Sequence, residues 1–454
     1  RRASDPGASA WVSAHAGSGK THVLTQRVVR LLLSGVAPSR LICLTYTKAA
    51  AANMSARVFD MLASWTLMDD DSLVAAIEAT GAAPPRDLDS ARRLFAAAVE
   101  TPGGLKIQTI HAFCERVLHL FPFEANVPAE FRAAEDMEQA ELLALARRQT
   151  FAAAAGDATL GAALARVAQE ASEDSFGKIL NAALSRRAAL EDVDATIARL
   201  GVAFGLRADD DESAISRAIV EDGLHWSTWP ALADLLAQGS SNDRKQSERL
   251  RLAASLAPQA ACVPPYLSTL LTAKMQPRAS VATSAIERLA PGVPARLQAE
   301  ALRVSGLQDK LRAIETRDRT AALLHLAAAC LAHYDALKRA RGVLDFDDMI
   351  ERTRALLTRD GAAAWALYKL DNGVDHILVD EAQDTSQAQW DILDALASEF
   401  TAGAGARPQA RTFFAVGDEK QSIFSFQGAS PESFGRMRDH FGRRVEAAGL
   451  RFDP

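Results

Sequence analysis

The sequence predicts an α/β protein: a parallel sheet covered by helices on both faces, its chain interrupted by a large inserted helical domain. Three observations carry this. Short β-like runs, each followed by a helical pattern, stand at residues 9–14, 41–46 and 105–109 early in the chain and at 376–380 and 412–417 late. Strand-then-helix alternation is the signature of a parallel sheet buried on both sides. From about residue 121 to 335 the chain is instead rich in Ala, Leu, Arg and Glu with apolar spacings of three and four, as at 140–146 and 321–332, which predicts many amphipathic helices. Finally, 454 residues exceed what one hydrophobic core usually organises, so two or three domains are expected. The expected division is 1–120 and 336–454 for the two parts of the sheet domain and 121–335 for the insert.

Apolar residues at 48% and charged residues at 24% are ordinary for a globular chain and exclude the disordered and collagenous classes. No stretch approaches the twenty apolar residues of a bilayer crossing, so no membrane partner is expected. The opening Arg1-Arg2-Ala3-Ser4-Asp5-Pro6 has no basic-then-apolar leader, and the expected location is cytoplasmic. Cys43, Cys114, Cys262 and Cys330, spaced by 71, 148 and 68 residues, fit neither a zinc site nor a disulfide framework and read as reduced, mostly buried thiols. A net charge of −6 argues against nonspecific coating of nucleic acid, which rests on a broad basic surface. Any nucleic-acid contact is therefore local. The first sixty residues hold eight Lys and Arg against Asp5 and Asp60 and are the expected place for an anionic ligand.

Ala14-His15-Ala16-Gly17-Ser18-Gly19-Lys20-Thr21 follows a strand and opens a helix, fitting the phosphate-loop pattern with Ala in the first Gly position. Glycines let successive backbone N–H groups curl around a triphosphate, the helix N-terminus adds positive potential, Lys20 reaches the terminal phosphates and Thr21 offers its hydroxyl to Mg²⁺. Downstream, Ile377-Leu378-Val379-Asp380-Glu381-Ala382-Gln383-Asp384 sets an acidic pair at the end of a buried strand. In a nucleotide-hydrolysing site a first carboxylate holds Mg²⁺ and a second polarises the attacking water. Another strand ends Val416-Gly417-Asp418, and residues 403–408 read as a surface connection between the late strands.

Together these segments resemble a superfamily 1 DNA helicase of the UvrD-like group, and within it the AddA/RecB branch of double-strand-break repair proteins. Besides the phosphate loop, Leu44-Thr45-Tyr46-Thr47-Lys48-Ala49-Ala50-Ala51-Ala52-Asn53-Met54 resembles the motif that runs along single-stranded DNA. Thr109-Ile110-His111-Ala112-Phe113-Cys114 resembles the next DNA-side motif, and Leu344-Asp345-Phe346-Asp347-Asp348-Met349-Ile350 the segment that re-enters the first motor domain. Asp380-Glu381-Ala382-Gln383-Asp384-Thr385 is similar to the Walker B motif. Gly417-Asp418-Glu419-Lys420-Gln421-Ser422-Ile423-Phe424-Ser425-Phe426-Gln427-Gly428-Ala429 is similar to the motif that couples hydrolysis to DNA.

The resemblance implies a RecA-like P-loop NTPase domain using ATP and Mg²⁺. Lys20 and Thr21 would bind phosphate and Mg²⁺, Asp380 would bind Mg²⁺, Glu381 would be the catalytic base and Gln421 would sense the terminal phosphate. Phe426 would stack on a DNA base, with Thr45, Tyr46 and His111 along the same strand. By their residue types alone Tyr46 and Phe426 fit a core aromatic as well, and His111 fits a helix cap or core histidine. Phe424 and Gln427 depart from the Tyr and Arg of the wider group. The resemblance further implies an ATP-dependent helicase or translocase in break repair and recombination, acting on single-stranded and double-stranded DNA ends with an AddB-type partner. It sets a second motor domain with its arginine finger, and a nuclease domain, beyond residue 454, leaving half an ATP site here.

Two other readings stand beside it. A stand-alone UvrD-type repair helicase is disfavoured by the Ile110–Cys114 form and by Ala382. A hydrolysis-deficient nucleotide-dependent DNA-binding or assembly protein is disfavoured by intact Lys20, Thr21, Asp380, Glu381 and Gln421.

Overall fold

The computed structural model describes residues 3–13, 19–169, 173–184, 186–359, 362–371, 373–398, 400–401, 411–418 and 431–454. It resolves into two compact units: residues 1–140 with 338–454, and residues 141–337.

In the first unit the strands are β1 (Ser9–Ser13), β2 (Leu41–Thr45), β3 (Lys106–Thr109), β4 (Arg132–Ala133), β5 (Val343–Leu344), β6 (His376–Val379), β7 (Thr412–Gly417) and β8 (Phe452–Asp453). Six of them form one sheet in the order β3-β2-β6-β7-β1-β8, parallel at every pairing. β4 and β5 make a separate parallel pair. Each of the five longer strands lies within one residue of the span expected from the sequence. The three two-residue strands are too short to leave a pattern.

Successive strand residues face opposite sides of a sheet, and here that alternation builds two cores. Ala10, Cys43, Leu378, Phe414 and Val416 pack with the helices Lys20–Leu33 and Lys48–Leu67 on one face. Trp11, Ile42, Leu44, Ile377, Val379, Phe413 and Ala415 pack with Ile110–Leu120, Phe346–Thr358, Gln387–Ser398 and Pro431–Ala447 on the other. Fully burying one such side chain stabilises the fold by about 1.5–3 kcal/mol. The second face is rich in rings, with Trp11 5.5 Å from Trp390 and 4.9 Å from Phe434 between centroids.

The segment 121–140, allotted to the insert by composition, lies in the first unit. Phe121, Ala125, Val127 and Phe131 are buried in the second-face core, and β4 pairs with β5 where the chain returns. Its apolar spacing is too irregular to betray this. At the return, Lys338 is almost fully buried and its ammonium lies 2.8 Å from Asp345 and 2.5 Å from Asp348. The same two aspartates form a capping box at the start of Phe346–Thr358, satisfying helix N–H groups that would otherwise lack partners.

The second unit is helical. Asp157, Asp192, Asp211 and Ser240 cap four of its helices, each side chain accepting from a first-turn backbone N–H. Its largest core centres on Trp229 stacked on Tyr266 at 4.1 Å. The Tyr266 hydroxyl donates to buried Glu300 at 2.7 Å, whose carboxylate also accepts from Arg303 at 2.6 and 2.8 Å. Pro264 stands in the first turn of Val263–Leu270, where a missing N–H costs nothing, so the Pro264-Pro265 pair starts a helix there. The helix Val293–Arg341, 49 residues long, contains a window of mean hydropathy 1.2 and is, among the described residues, the one helix that meets the length and composition of a bilayer span. This corrects the expectation that no stretch approaches that limit. Leu324, Leu326, Ala327, Cys330 and Tyr334 are buried along it, the one-sided stripe of an amphipathic helix.

Candidate active site

All the strands of a parallel sheet end on the same edge, and register decides what meets there. Thr45 is level with Thr109, Leu44 with Val379, and Ser13 with Gly417. The C-terminal ends of β1, β2, β3, β6 and β7 therefore share one rim, the edge where open α/β sheets receive ligands.

Beyond β1, Gly19 adopts φ 84° and ψ 26°, a left-handed conformation that glycine reaches without strain, and turns the chain into Lys20–Leu33. Ala14, His15, Ala16, Gly17 and Ser18 lie outside the described residues. Lys20 is the first residue of that helix, so its ammonium and the free backbone N–H groups of the first turn are directed to the same end. Thr21 follows it, partly exposed, its carbonyl accepting from the Thr25 hydroxyl at 2.9 Å.

From the far side of the rim comes the acidic pair. The Asp380 N–H donates to the Leu44 carbonyl at 2.8 Å, extending the β2–β6 ladder by one step. Glu381 then takes φ 48° and ψ 44°, a left-handed conformation uncommon for a residue with a side chain, and this turn brings its carboxylate back over the rim. The Lys20 Nζ lies 3.0 Å from Glu381 Oε2. The structure thus brings together two residues 361 positions apart that the sequence marks separately.

Asp380 is buried, and burial pushes its carboxyl up to about 6 from an ordinary 3.8. The neighbouring Glu381 charge pushes the same way, while the Glu381 backbone N–H and Lys20 oppose it. Burial of this kind favours the neutral form of a carboxyl unless a cation is placed beside it. Thr21 and Asp380, with water and phosphate oxygens, suit Mg²⁺, which takes few protein ligands; among the described residues no cluster of three or more His, Cys, Asp or Glu forms an all-protein cage.

Gln383, which lies within the Walker B-like segment but receives no role of its own from it, sits among these groups, 2% exposed. Its Nε2 donates to Glu381 Oε2 at 2.9 Å and to Asp384 Oδ2 at 3.1 Å, and its Oε1 accepts from the Asp418 N–H at 2.9 Å. Gly417 permits this approach: a Cβ there would lie 2.6 Å from Gln383 Oε1 and 2.9 Å from the Phe434 ring.

Farther along the rim, Thr45 is buried and its hydroxyl donates to the Thr47 carbonyl at 3.1 Å, so it offers a fixed turn and no open hydroxyl. Tyr46 is half-buried, its phenol pushed upward by burial and by Asp384. Thr109 caps Ile110–Leu120 by accepting from the Ala112 N–H at 3.2 Å, which leaves His111 free of the capping role. His111 instead packs against Phe346 at 5.0 Å between rings, and burial pulls its pKa down. Phe346, to which its motif assigns no role of its own, is 40% exposed. Gln421, Phe424, Phe426, Gln427 and the 403–408 connection lie outside the described residues.

Part of the basic surplus of the first sixty residues is spent internally. Arg27 is fully buried, donating to the carbonyls of Ala3, Asp5 and Ala8 at 3.2, 2.7 and 2.5 Å and to the Thr412 hydroxyl at 3.1 Å. Arg30 donates to Ser4 Oγ, and Arg40 pairs with Asp375, each at 2.8 Å. The four cysteines are buried and free.

The profile of the UvrD/REP helicase N-terminal domain matches residues 2–442. Among curated proteins, the AddA-type ATP-dependent helicase/nuclease protein of Lactiplantibacillus plantarum is 26% identical over 96% of this chain and 36% of its own length. Its counterpart in Levilactobacillus brevis is 27% identical over 97% and 35%, and that of Geobacillus thermodenitrificans 26% over 97% and 36%. The chain therefore spans about a third of the length of the relatives it matches.

Proposed function

This chain belongs to the UvrD/REP helicase N-terminal domain family, and on that premise we propose that it is the ATP-binding half of a DNA helicase motor, the sheet unit serving as the first RecA-like motor domain and the helical unit as its insert. The observation that carries the reading is the ion pair between Lys20 at a helix N-terminus and Glu381 beside buried Asp380. A phosphate-binding cation and a general base 3.0 Å apart bracket the place where a terminal phosphate meets its attacking water.

In this reading the first turn of Lys20–Leu33 would bind the phosphates of ATP. Thr21 and Asp380 would hold Mg²⁺, which would neutralise phosphate charge. Lys20 exchanges Glu381 for phosphate oxygen, which frees the Glu381 carboxylate to orient water and take its proton. Gln421 senses the terminal phosphate. Tyr46, His111 and Phe426 face single-stranded DNA along the outer rim, and Thr45 fixes the turn that carries Tyr46. The parent protein acts, by this proposal, as an ATP-dependent helicase on DNA ends in double-strand-break repair and recombination, beside an AddB-type partner in the cytoplasm.

The test is DNA-stimulated ATP hydrolysis by the full-length protein. Glu381→Gln is expected to retain ATP binding and lose about 10²–10⁴-fold in turnover, the range of a positioned general base. Lys20→Ala is expected to lose both. Near-wild-type turnover in either variant would refute the assignment.

A further inference from the structure

Resting on that reading, we propose that Gln383 is the positioning residue that fixes the Glu381 carboxylate and ties it to the end of β7. The amide orientation follows from chemistry: the Asp418 N–H can only donate, so Oε1 faces it, and ionised carboxylates can only accept, so Nε2 faces Glu381 and Asp384. The side chain is buried and both ends of the amide are used.

Glu381 needs such a partner. Its side chain is 38% exposed and starts from a strained backbone turn, so without a lateral contact its carboxylate would sample several rotamers. In the structure Oε2 accepts from both Lys20 Nζ at 3.0 Å and Gln383 Nε2 at 2.9 Å. When a phosphate draws Lys20 away, the Gln383 amide stays on the same oxygen and preserves the orientation of the base. Through Oε1 the same amide is fastened to Asp418, three residues before Gln421. A shift of the β7 end therefore reaches Glu381 through one side chain. The missing Cβ of Gly417 supplies the room for this link.

Two substitutions in the full-length protein separate positioning from packing. Gln383→Met keeps length and removes all three hydrogen bonds; Gln383→Glu keeps an acceptor for the Asp418 N–H and removes the donation to Glu381. Both are expected to lower kcat for ATP about 10- to 100-fold, the usual cost of losing an orienting partner, while KM for ATP stays close to wild type. In a Glu381→Gln background neither is expected to cause a further loss, because residues acting as one unit are not additive. Unchanged kcat in Gln383→Glu, or losses that multiply with Glu381→Gln, would overturn the proposal. A wild-type protein that hydrolyses no ATP would instead overturn the reading of the site, and this inference with it.

Discussion

Replacing Asp380 by Asn is expected to make the protein more stable while disabling it. The Asp380 carboxyl is pushed from 3.8 to about 6, roughly two units, and each unit corresponds to about 1.4 kcal/mol. Burial is the main cause and the Glu381 charge the second. The sign follows from linkage: a carboxyl whose folded pKa is raised binds its proton more tightly folded than unfolded, so it costs nothing below the unfolded value. The cost grows between pH 3.8 and 6 and is complete above. At pH 8 it amounts to at most about 3 kcal/mol. Asn keeps an oxygen for the Glu381 N–H, now 3.0 Å from Asp380 Oδ1, and loses only the attraction to Lys20. A gain of about 1–3 kcal/mol at pH 8 is expected, moving the urea midpoint of the sheet unit upward by about 1 M. The gain should shrink as pH falls through 6 and vanish near pH 4, while Mg²⁺-dependent ATP hydrolysis is lost at every pH. An Asn variant no more stable than wild type at pH 8, or one whose advantage is the same at pH 4, would refute the account of Asp380 as a carboxylate penalised by its burial.

Lys338→Met should cost about 3–5 kcal/mol in urea unfolding, because it takes the ammonium from buried Asp345 and partly buried Asp348; a loss under about 1 kcal/mol would show that the pair contributes no more than an exposed one. Phe346→Ala should weaken single-strand binding about five- to hundredfold, the value of one stacked base, and leave the melting temperature nearly unchanged, since the ring is 40% exposed. A large drop in melting temperature with intact DNA affinity would make Phe346 a support for His111 alone.

The central strands are legible in the sequence because a strand buried on both faces has no polar alternation to dilute it: Leu41–Thr45 and Thr412–Gly417 are buried at every residue. The phosphate loop and acidic pair are legible for a different reason. The chemistry proposed for them needs particular residue types at fixed spacing, so the pattern alone singles out Lys20, Thr21, Asp380 and Glu381 as candidates. What stays hidden depends on distance. Nothing in the sequence says that Lys20 meets Glu381, that Gln383 reaches Asp418, or that Thr45 points inward, since each is decided by register and by one turn with positive φ. The charge surplus misleads for a related reason, because Arg27 counts as surface charge in a sum and is a buried bracket in the fold.

The strand order has a consequence for how the protein is made. β6 and β7 lie between β2 and β1, yet they are synthesised after β1, β2, β3 and the helical unit. More than three hundred residues separate β1 from its neighbour β7, and the helical unit is synthesised in between. Until residues 376–381 emerge, β2 has no central partner and Lys20 has no Glu381, and until residue 417 emerges, β1 lacks β7 and its apolar faces stay open. Long-range parallel pairing is slow and exposes aggregation-prone edges while it waits. The nascent chain therefore completes its sheet core and the Lys20–Glu381 pair only after the helical unit is made, and a truncation before β6 forfeits both.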